Sequence, residues 1–390
     1  MKTAGVLSVA VLLAAFAARA ATVCTTSAER LEGEVPAITA GGHVELVRDG
    51  KTTKLALRGV HRIRFREMPK PPAFEVEVRT ADGSVLLGKL AQPQHALALA
   101  SPALKQAVQL RAADLLGVRF VPATGPKIDP DRFAAALAKR GRNADALFVV
   151  SPKGIVPLDV AVSKIAPDKV SFTWDGEDRS VGTGKVAAVI FANGAKETTA
   201  GAAVRLADAS VLRGRLVSLK KGTLTLEVAG GPLPVPVASV VSIEFANPNV
   251  AYLSDLKPAE VRETPFFNRV WEHRLDRSVG GRALTLDGHT YARGIGCHTR
   301  TALTYDLGGR YRKFAAVIGI DDEARPRGSV SFVVQADGKT IHSATLTGRD
   351  KAVPLALDIA GVKKLTLLAD FAEDANVGDH ADWADARVMK

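Results

Sequence analysis

The chain has 390 residues, of which 47% are apolar and 24% charged, and its formal net charge is +11. This length predicts roughly two to four domains, and the composition excludes a mainly disordered chain, a collagen-like repeat and a disulfide-dense miniprotein. Aromatic residues make up only 5% of the chain, so any aromatic-lined pocket must be built from few side chains.

The first twenty residues have the pattern of a secretory signal peptide. Residues 1–20 combine a basic start at Lys2, an apolar run over 6–17 and the small-x-small sequence Ala18-Arg19-Ala20, which predicts export and cleavage. The apolar run is too short for a membrane-spanning helix, which needs roughly 20 residues. We therefore expect a secreted, periplasmic or cell-envelope protein with no transmembrane span.

The two cysteines of the chain are Cys24 and Cys297. An oxidising compartment would permit one disulfide, but the two residues fall in different predicted domains and neither belongs to a CxxC motif. Two unpaired thiols are therefore expected. The alternative for Cys24 is lipidation, although Val23 stands where lipoprotein signals prefer a small residue.

The positive charge lies in the front of the chain. Residues 21–249 hold 30 basic and 22 acidic residues, whereas residues 250–390 hold 20 and 19. This basicity is that of a solvated surface, or it favours contact with anionic envelope polymers, lipid headgroups or another envelope protein. Without a reader motif in an exported chain, we predict no nucleic-acid partner.

An internal repeat organises the front of the chain. Residues 78–120 and 204–245 both begin VR-x-AD-x-SVL-x-G-x-L and end in Phe, and such agreement indicates duplication. Two weaker copies lie at 31–65 and 158–191. The four units close on the same residue type: Phe65, Phe120, Phe191 and Phe245.

Alternating apolar positions within each unit predict short antiparallel strands. Tandem small SH3-like or Sm-like β-barrels fit best, because closing a sheet hides its edges. Taking the units in pairs gives a first module at 21–126 and, after a linker helix, a second within 127–248.

One segment predicts that linker helix. Asp129 suits the N-cap, Pro130 the first helical position and Gly141 the stop. Phe133 and Leu137 would then share one face.

The last third changes character. About nine short strand candidates follow within about 140 residues from 249 onward, separated by hairpin-type turns such as Asp287-Gly288 and Asp337-Gly338, which predicts a jelly-roll β-sandwich.

Six segments in this third carry a family resemblance. They are YLSDL at 252–256, GIGCH at 294–298, YDL at 305–307, AVIGIDDE at 316–323, GSVSFVVQADG at 328–338 and DHADWADA at 379–386. In this order they resemble the NPCBM domain, a carbohydrate-binding module attached to glycoside hydrolases, over residues 249–390. The resemblance implies a galactose-binding-like β-sandwich that recognises terminal sugars, and in some members a structural calcium ion.

A pyranose has fanned hydroxyls and one apolar face, so its site needs planar polar side chains and usually an aromatic wall. The residues of suitable type in the family motifs are His298, Asp321, Asp322, His380 and Trp383. We predict that they bind glycan at the rim of the sandwich. The structural alternatives are a core tryptophan, a hydrogen-bonded histidine and turn-capping aspartates.

The same region contains an oxygen-rich turn. Asp374, Asn376 and Asp379 surround Gly378 and offer the hard oxygens that calcium prefers. The family resemblance makes a calcium ion here a prediction. An acidic surface turn would have the same sequence.

No pattern of an enzyme is present. The chain has no G-x-S-x-G elbow, HExxH, P-loop or dinucleotide fingerprint. Units of about 50 residues leave no room for the roughly 250-residue barrel common among glycosidases. Since paired carboxylates are a three-dimensional property, an unusual glycosidase stays open.

We therefore predict an exported, non-catalytic carbohydrate-binding protein without a required cofactor. Its repeats would act as a spacer or as a surface for a partner. The alternative is a structural or assembly protein of the cell envelope without sugar specificity.

Overall fold

A computed structural model describes residues 20–122, 125–139, 141, 143–192, 201–228, 231–265, 270–372 and 376–390. The predicted signal peptide, except Ala20, and Asp374 of the predicted calcium turn lie outside these residues. The described part of the chain is almost entirely β-structure, with 33 strands and one α-helix. None of its helices is long and apolar enough to cross a membrane.

Residues 20–245 form four consecutive units of five strands each. Unit 1 contains β1 (Ala20–Thr25), β2 (Arg30–Thr39), β3 (His43–Arg48), β4 (Lys51–Ala56) and β5 (Val60–Arg64). Unit 2 contains β6 (Val76–Thr80), β7 (Val85–Ala91), β8 (Leu97–Ala100), β9 (Val108–Leu110) and β10 (Leu115–Phe120). Unit 3 contains β11 (Asp145–Ser151), β12 (Gly154–Ile165), β13 (Lys169–Trp174), β14 (Glu177–Gly182) and β15 (Val186–Ile190). Unit 4 contains β16 (Ala202–Leu206), β17 (Val211–Lys220), β18 (Thr223–Val228), β19 (Gly231–Pro236) and β20 (Val240–Phe245).

The four units share one pairing scheme. In each, the first four strands form an antiparallel meander and the first strand also pairs with the fifth. A one-turn 3₁₀ helix precedes every fifth strand, at Leu57–Gly59, Ala112–Asp114, Thr183–Lys185 and Val237–Ser239. The duplication therefore includes the weaker copies, which begin earlier than their sequence similarity suggests.

The units associate in a different order from the chain. The fifth strands pair across units, β5 with β20 and β10 with β15, so unit 1 joins unit 4 and unit 2 joins unit 3. One continuous hydrophobic core takes residues from all four units. The predicted grouping into 21–126 and 127–248 differs from this arrangement, because an edge strand pairs with whichever edge complements it and not with its neighbour in sequence.

The predicted linker helix is present as α1 (Pro130–Ala138). The Asp129 side chain accepts hydrogen bonds from two backbone N–H groups of the first turn, and Phe133 and Leu137 are buried. The helix packs over the seam between β10 and β15. Gly117 allows this close approach, since a Cβ there would lie 2.8 Å from Leu137 Cδ2 and 3.0 Å from Phe133 Cζ.

The last third is a β-sandwich, as predicted. Its strands are β21 (Val250–Tyr252), β22 (Glu260–Glu263), β23 (Arg274–Leu275), β24 (Leu284–Leu286), β25 (His289–Tyr291), β26 (Gly294–Cys297), β27 (Thr301–Asp306), β28 (Lys313–Ile320), β29 (Ser329–Ala336), β30 (Lys339–Thr347), β31 (Val353–Asp358), β32 (Lys364–Phe371) and β33 (Ala381–Met389). One sheet has the order β23-β26-β33-β28-β31, with β21 beside β33, and the other has the order β22-β27-β32-β29-β30. Their facing side chains form one core.

Both cysteines are buried, unpaired thiols, as expected. Cys24 lies near the end of β1, in which Ala21 and Val23 are core residues. Cleavage directly before Cys24, which lipidation requires, would remove the first four residues of β1. Export with cleavage after Ala20 would keep Ala21 and Val23 in the core.

Buried charges join unit 1 to the sandwich. Arg62 of β5 donates to Asp385 Oδ1 at 2.5 Å and to the Tyr252 hydroxyl at 2.8 Å. Arg387 donates to the other oxygen of Asp385 at 2.6 Å. Asp385 and Arg387 are each 2% exposed, so one carboxylate compensates two guanidinium groups at this contact.

Candidate functional site

Three aromatic side chains from neighbouring strand ends meet at the rim of the sandwich. His298 follows β26 and His380 precedes β33, and these two strands pair directly. Trp271 lies just before β23, which pairs with the other edge of β26. We call Trp271, His298 and His380 the aromatic cluster.

The aromatic cluster is built around a stacked pair. The Trp271 and His298 rings are nearly parallel, with centroids 5.2 Å apart and an interplanar angle of 12°. The His380 ring lies 5.8 Å from each of them at a steep angle. His298 is buried, whereas Trp271 and His380 are partly exposed. The cluster therefore presents an indole and an imidazole to solvent above a buried ring.

Glu323 holds His380 in place. Its Oε1 lies 2.9 Å from His380 Nδ1 and accepts the backbone N–H of Gly280 at 3.1 Å. Burial by itself raises the pKa of Glu323, but hydrogen bonds from Ser278 and His380 outweigh it and set the pKa below its usual value. A carboxylate at neutral pH thus orients the imidazole.

Trp383 does not belong to this surface. It is 1% exposed and packs edge-on against Phe332 of the opposite sheet, with ring centroids 5.3 Å apart. Because side chains alternate along β33, Trp383 points between the sheets. The prediction that it walls a sugar site is corrected: it is a core tryptophan.

The two predicted aspartates act as turn caps. Asp321 is 1% exposed and accepts the backbone N–H groups of Thr285 and Glu323, both at 2.9 Å. Asp322 accepts those of Asp287 and Gly288, which form the turn between β24 and β25. Their carboxylates are occupied by the backbone. They support the rim without joining the aromatic cluster.

The residues of the predicted calcium turn do not fit a calcium ion. Asp379 is fully buried, and its two oxygens accept the Thr299 hydroxyl at 2.6 Å and the Ser329 N–H at 2.9 Å. Asn376 lies beside Trp271 at a small cavity. Among the residues with a described position, no group of three or more His, Cys, Asp or Glu side chains could hold a metal. Asp379 instead fixes Thr299, the neighbour of His298.

Sequence reasoning missed Trp271 and Glu323 as members of the site. Trp271 lies 23 positions from the motif that contains His298, so no local spacing connects them. The available signal was scarcity: the chain has only three tryptophans, and an indole in a loop of a sandwich is a natural sugar-stacking group.

One buried carboxyl beneath this rim gives a separate prediction. Asp382 is fully buried, and neither of its oxygens has a hydrogen-bonding partner among the described residues. Burial, and next the adjacent Asp321, raise its pKa well above the usual value. Because the folded state resists ionisation, its contribution to stability falls as the pH rises above the normal aspartate range.

Asp382→Asn, which mimics the protonated side chain, is therefore expected to raise the free energy of unfolding at pH 8. The gain should vanish near pH 4, as measured by urea unfolding. Asp321→Asn is the matched control. It places an NH₂ against a backbone N–H that now donates, and it should cost about 1–3 kcal/mol. A loss of stability in Asp382→Asn at pH 8 would contradict this account.

Comparison with known proteins agrees with this architecture. Residues 249–389 match the family model of the NPCBM/NEW2 domain. Alpha-1,3-galactosidase B of Akkermansia muciniphila is 35% identical over 121 residues, which are 29% of this chain and 15% of that protein. A Renibacterium salmoninarum protein with the provisional name endo-alpha-N-acetylgalactosaminidase is 32% identical over 110 residues, which are 28% of this chain and 7% of that protein.

A solved CBM51 module from a Clostridium perfringens GH95 protein, in complex with methyl-galactose, is 28% identical. The match covers 36% of this chain and 99% of that module, with a TM-score of 0.33. The chain spans only a small part of the length of either curated relative. Residues 249–389 of this chain are an NPCBM/NEW2 domain, the family that the six sequence motifs indicate.

Proposed function

We propose that the protein binds the terminal sugar of a glycan at the aromatic cluster. The observation that carries the proposal is the partly exposed Trp271, stacked on His298 beside an imidazole that Glu323 orients. An indole face offers the apolar contact that one side of a pyranose needs, and His380 offers a directed hydrogen-bonding group to its hydroxyls.

Galactose and N-acetylgalactosamine are the first sugars to consider. The two curated relatives carry names of enzymes that act on α-galactosides and α-N-acetylgalactosaminides, and their matched segments fall on the sandwich. An axial hydroxyl on an otherwise flat ring suits a site with one aromatic face and one edge-on imidazole. We expect affinities of about millimolar to micromolar, or roughly −4 to −8 kcal/mol.

The binding is non-catalytic in this proposal. Hydrolysis of a glycosidic bond ordinarily needs two carboxyl groups that flank it. In the described part of the aromatic cluster Glu323 is the one carboxylate that touches a cluster ring directly, and hydrogen bonds from Ser278, His380 and Gly280 occupy it. Export follows from the sequence of residues 1–20, and the four repeat units would then hold the sandwich at a distance or contact a partner.

Trp271→Ala in the full mature chain is expected to weaken binding of methyl α-galactoside or methyl α-N-acetylgalactosaminide at least tenfold, about 1.4 kcal/mol. The loss follows from removal of the stacking face. Isothermal titration calorimetry measures it, with the same substitution at Trp174 as matched control. Trp174 lies on β13 in unit 3, far along the chain from the sandwich, and its replacement should leave the affinity unchanged.

A broad glycan array with the wild-type chain separates the proposal from its alternative. Saturable binding to galactosides supports the proposal. Silence across the array favours a structural or assembly role in the cell envelope. Turnover of chromogenic glycosides would overturn the non-catalytic assignment.

A further inference from the structure

A cleft of about 660 Å³ lies between unit 4 and the start of the sandwich. One wall carries Ala203, Arg213 and Glu244, and the other carries Tyr252 and Arg293. This volume lies in the range of roughly 300–1,000 Å³ that is usual for small-molecule sites. The cleft is far larger than a single ion needs.

Arginines of unit 4 converge on this cleft. Ala203 lies opposite Arg213 across the β16–β17 ladder and opposite Glu244 across the β16–β20 ladder. Side chains alternate along a strand, so Arg205 emerges on the same sheet face as these residues. Arg205 and Arg213 are both partly exposed. We call Arg205, Arg213 and Arg293, with the walls between them, the arginine cleft.

The arginine cleft carries positive charge that the described residues do not compensate. Arg293 pairs with Asp255 at 2.5 Å and with Asp276 at 2.8 Å. In contrast, no carboxylate with a described position lies within 4.0 Å of the Arg205 or Arg213 guanidinium. Two guanidinium groups in the arginine cleft therefore lack a counter-charge.

The electrostatic environment of Arg205 agrees with this geometry. Burial lowers the pKa of its guanidinium, and Glu244 only partly offsets this. The guanidinium groups of Arg62, Arg213 and Arg293 lower it further. Like charges held close together in a partly buried site destabilise the chain unless an anion lies between them.

We propose that the arginine cleft binds an acidic saccharide, with a sulfate ester or carboxylate of the sugar bridging Arg205 and Arg213. Guanidinium forks match the oxygens of such groups in two-point hydrogen bonds. The polar and aromatic lining, which includes Asn247, Phe245 and Tyr252, suits a sugar ring beside the anionic group. The site lies apart from the aromatic cluster, and the proposal does not rest on sugar binding there.

The test is calorimetric titration of the full mature chain at 50 mM salt with three probes: a sulfated uronate-containing hexasaccharide, an unsulfated oligogalacturonate and inorganic sulfate. We expect at least one saccharide to bind at least tenfold more tightly than sulfate. Preference between the two saccharides then distinguishes sulfate from carboxylate recognition. Equal binding of sulfate and both saccharides would reduce the site to an anion site and overturn the saccharide assignment.

The double variant Arg205→Gln/Arg213→Gln should weaken saccharide binding at least tenfold. The charge-matched control is Arg179→Gln/Arg215→Gln, which removes two exposed arginines that pair with Glu177 and Glu227. The control should change affinity less than twofold. Equal losses in both double variants would mean diffuse electrostatic attraction and would overturn the proposal, as would absence of saccharide binding by the wild type.

Two further measurements separate a binding role from a structural one. Arg205→Gln relieves charge repulsion, so its unfolding temperature should equal or exceed that of the wild type; a marked decrease would make Arg205 a structural residue. Trp271→Ala should retain acidic-saccharide binding. Loss of that binding in Trp271→Ala would contradict an independent site.

Discussion

Asp385→Asn is expected to lower the free energy of unfolding by about 3–5 kcal/mol. The substitution keeps the volume of the side chain, and asparagine tolerates the positive φ of 56° at this position. What it removes is the negative charge that Arg62 and Arg387 share. Two buried guanidinium groups would then lack a counter-ion, and breaking a buried pair on one side is far more costly than its net value.

Asp276→Asn is the matched control for Asp385→Asn. Asp276 also has a positive φ, of 57°, and it also pairs with an arginine, Arg293, but the two side chains are 31% and 29% exposed. An ion pair this exposed contributes about 0–1 kcal/mol. Guanidinium unfolding followed by tryptophan fluorescence measures both variants. Equal costs for the two substitutions would contradict the assignment of Asp385 as the charge that joins unit 1 to the sandwich.

Acidification from pH 7 to pH 4.5 is expected to destabilise the protein through His61. This residue is 2% exposed, its Nδ1 lies 3.1 Å from the Thr25 carbonyl, and its Nε2 has no partner among the described residues. Burial and the nearby Arg387 and Arg62 lower its pKa to about 3. The unfolded chain takes up a proton near pH 6.5 whereas the folded chain does not, so stability is complete above pH 6.5 and decreases as the pH falls towards 3.

Over this interval the loss attributable to His61 is about 3 kcal/mol, at 1.36 kcal/mol per pH unit below 6.5. His61→Asn keeps a donor for the Thr25 carbonyl but cannot be protonated, so its stability should change less between pH 7 and pH 4.5. Urea unfolding at the two pH values measures the difference. His43→Asn, at an exposed histidine, should follow the wild type. An unchanged pH dependence in His61→Asn would show that other groups cause the acid sensitivity.

These two predictions concern the same contact between the repeats and the sandwich. Arg62, Asp385 and Tyr252 lie at the side of the arginine cleft, and His61 lines it. Burial, followed by the opposing effect of Arg62, leaves the pKa of the Tyr252 hydroxyl above its usual value, so it stays a neutral hydrogen-bonding group at physiological pH. A rigid contact of this kind holds the two walls of the cleft in a fixed relation.

The repeat was legible from sequence because its spacing is local. The shared VR-x-AD-x-SVL-x-G-x-L pattern and the closing phenylalanines predicted duplicated antiparallel units, and the strand pairing is the same in all four. The helix at Pro130–Ala138 was predicted on the same kind of local signal, the cap at Asp129. What the pattern did not contain is which edges meet, since β5–β20 pairing joins segments about 180 residues apart.

The candidate site divides in the same way. His298 and His380 were predicted from the ordered family motifs, and the structure brings them together, although their role in sugar binding is still a proposal. Trp383 was assigned to the surface on residue type, but the alternation along β33 turned it into the core. Trp271 was absent from the prediction because its loop reaches His298 only through the β23–β26 pairing.

Sequence by itself determined the all-β class, the fourfold repeat, the linker helix and the family of the last third, because each depends on local periodicity or on ordered motifs. Tertiary structure alone decided that unit 1 pairs with unit 4, that Trp271 and not Trp383 stands beside the histidines, and that Arg205 and Arg213 face a cleft without counter-charges. The physical reason is that side-chain direction and long-range strand pairing depend on the whole packed core, whereas a sequence pattern records only the near neighbours of each residue.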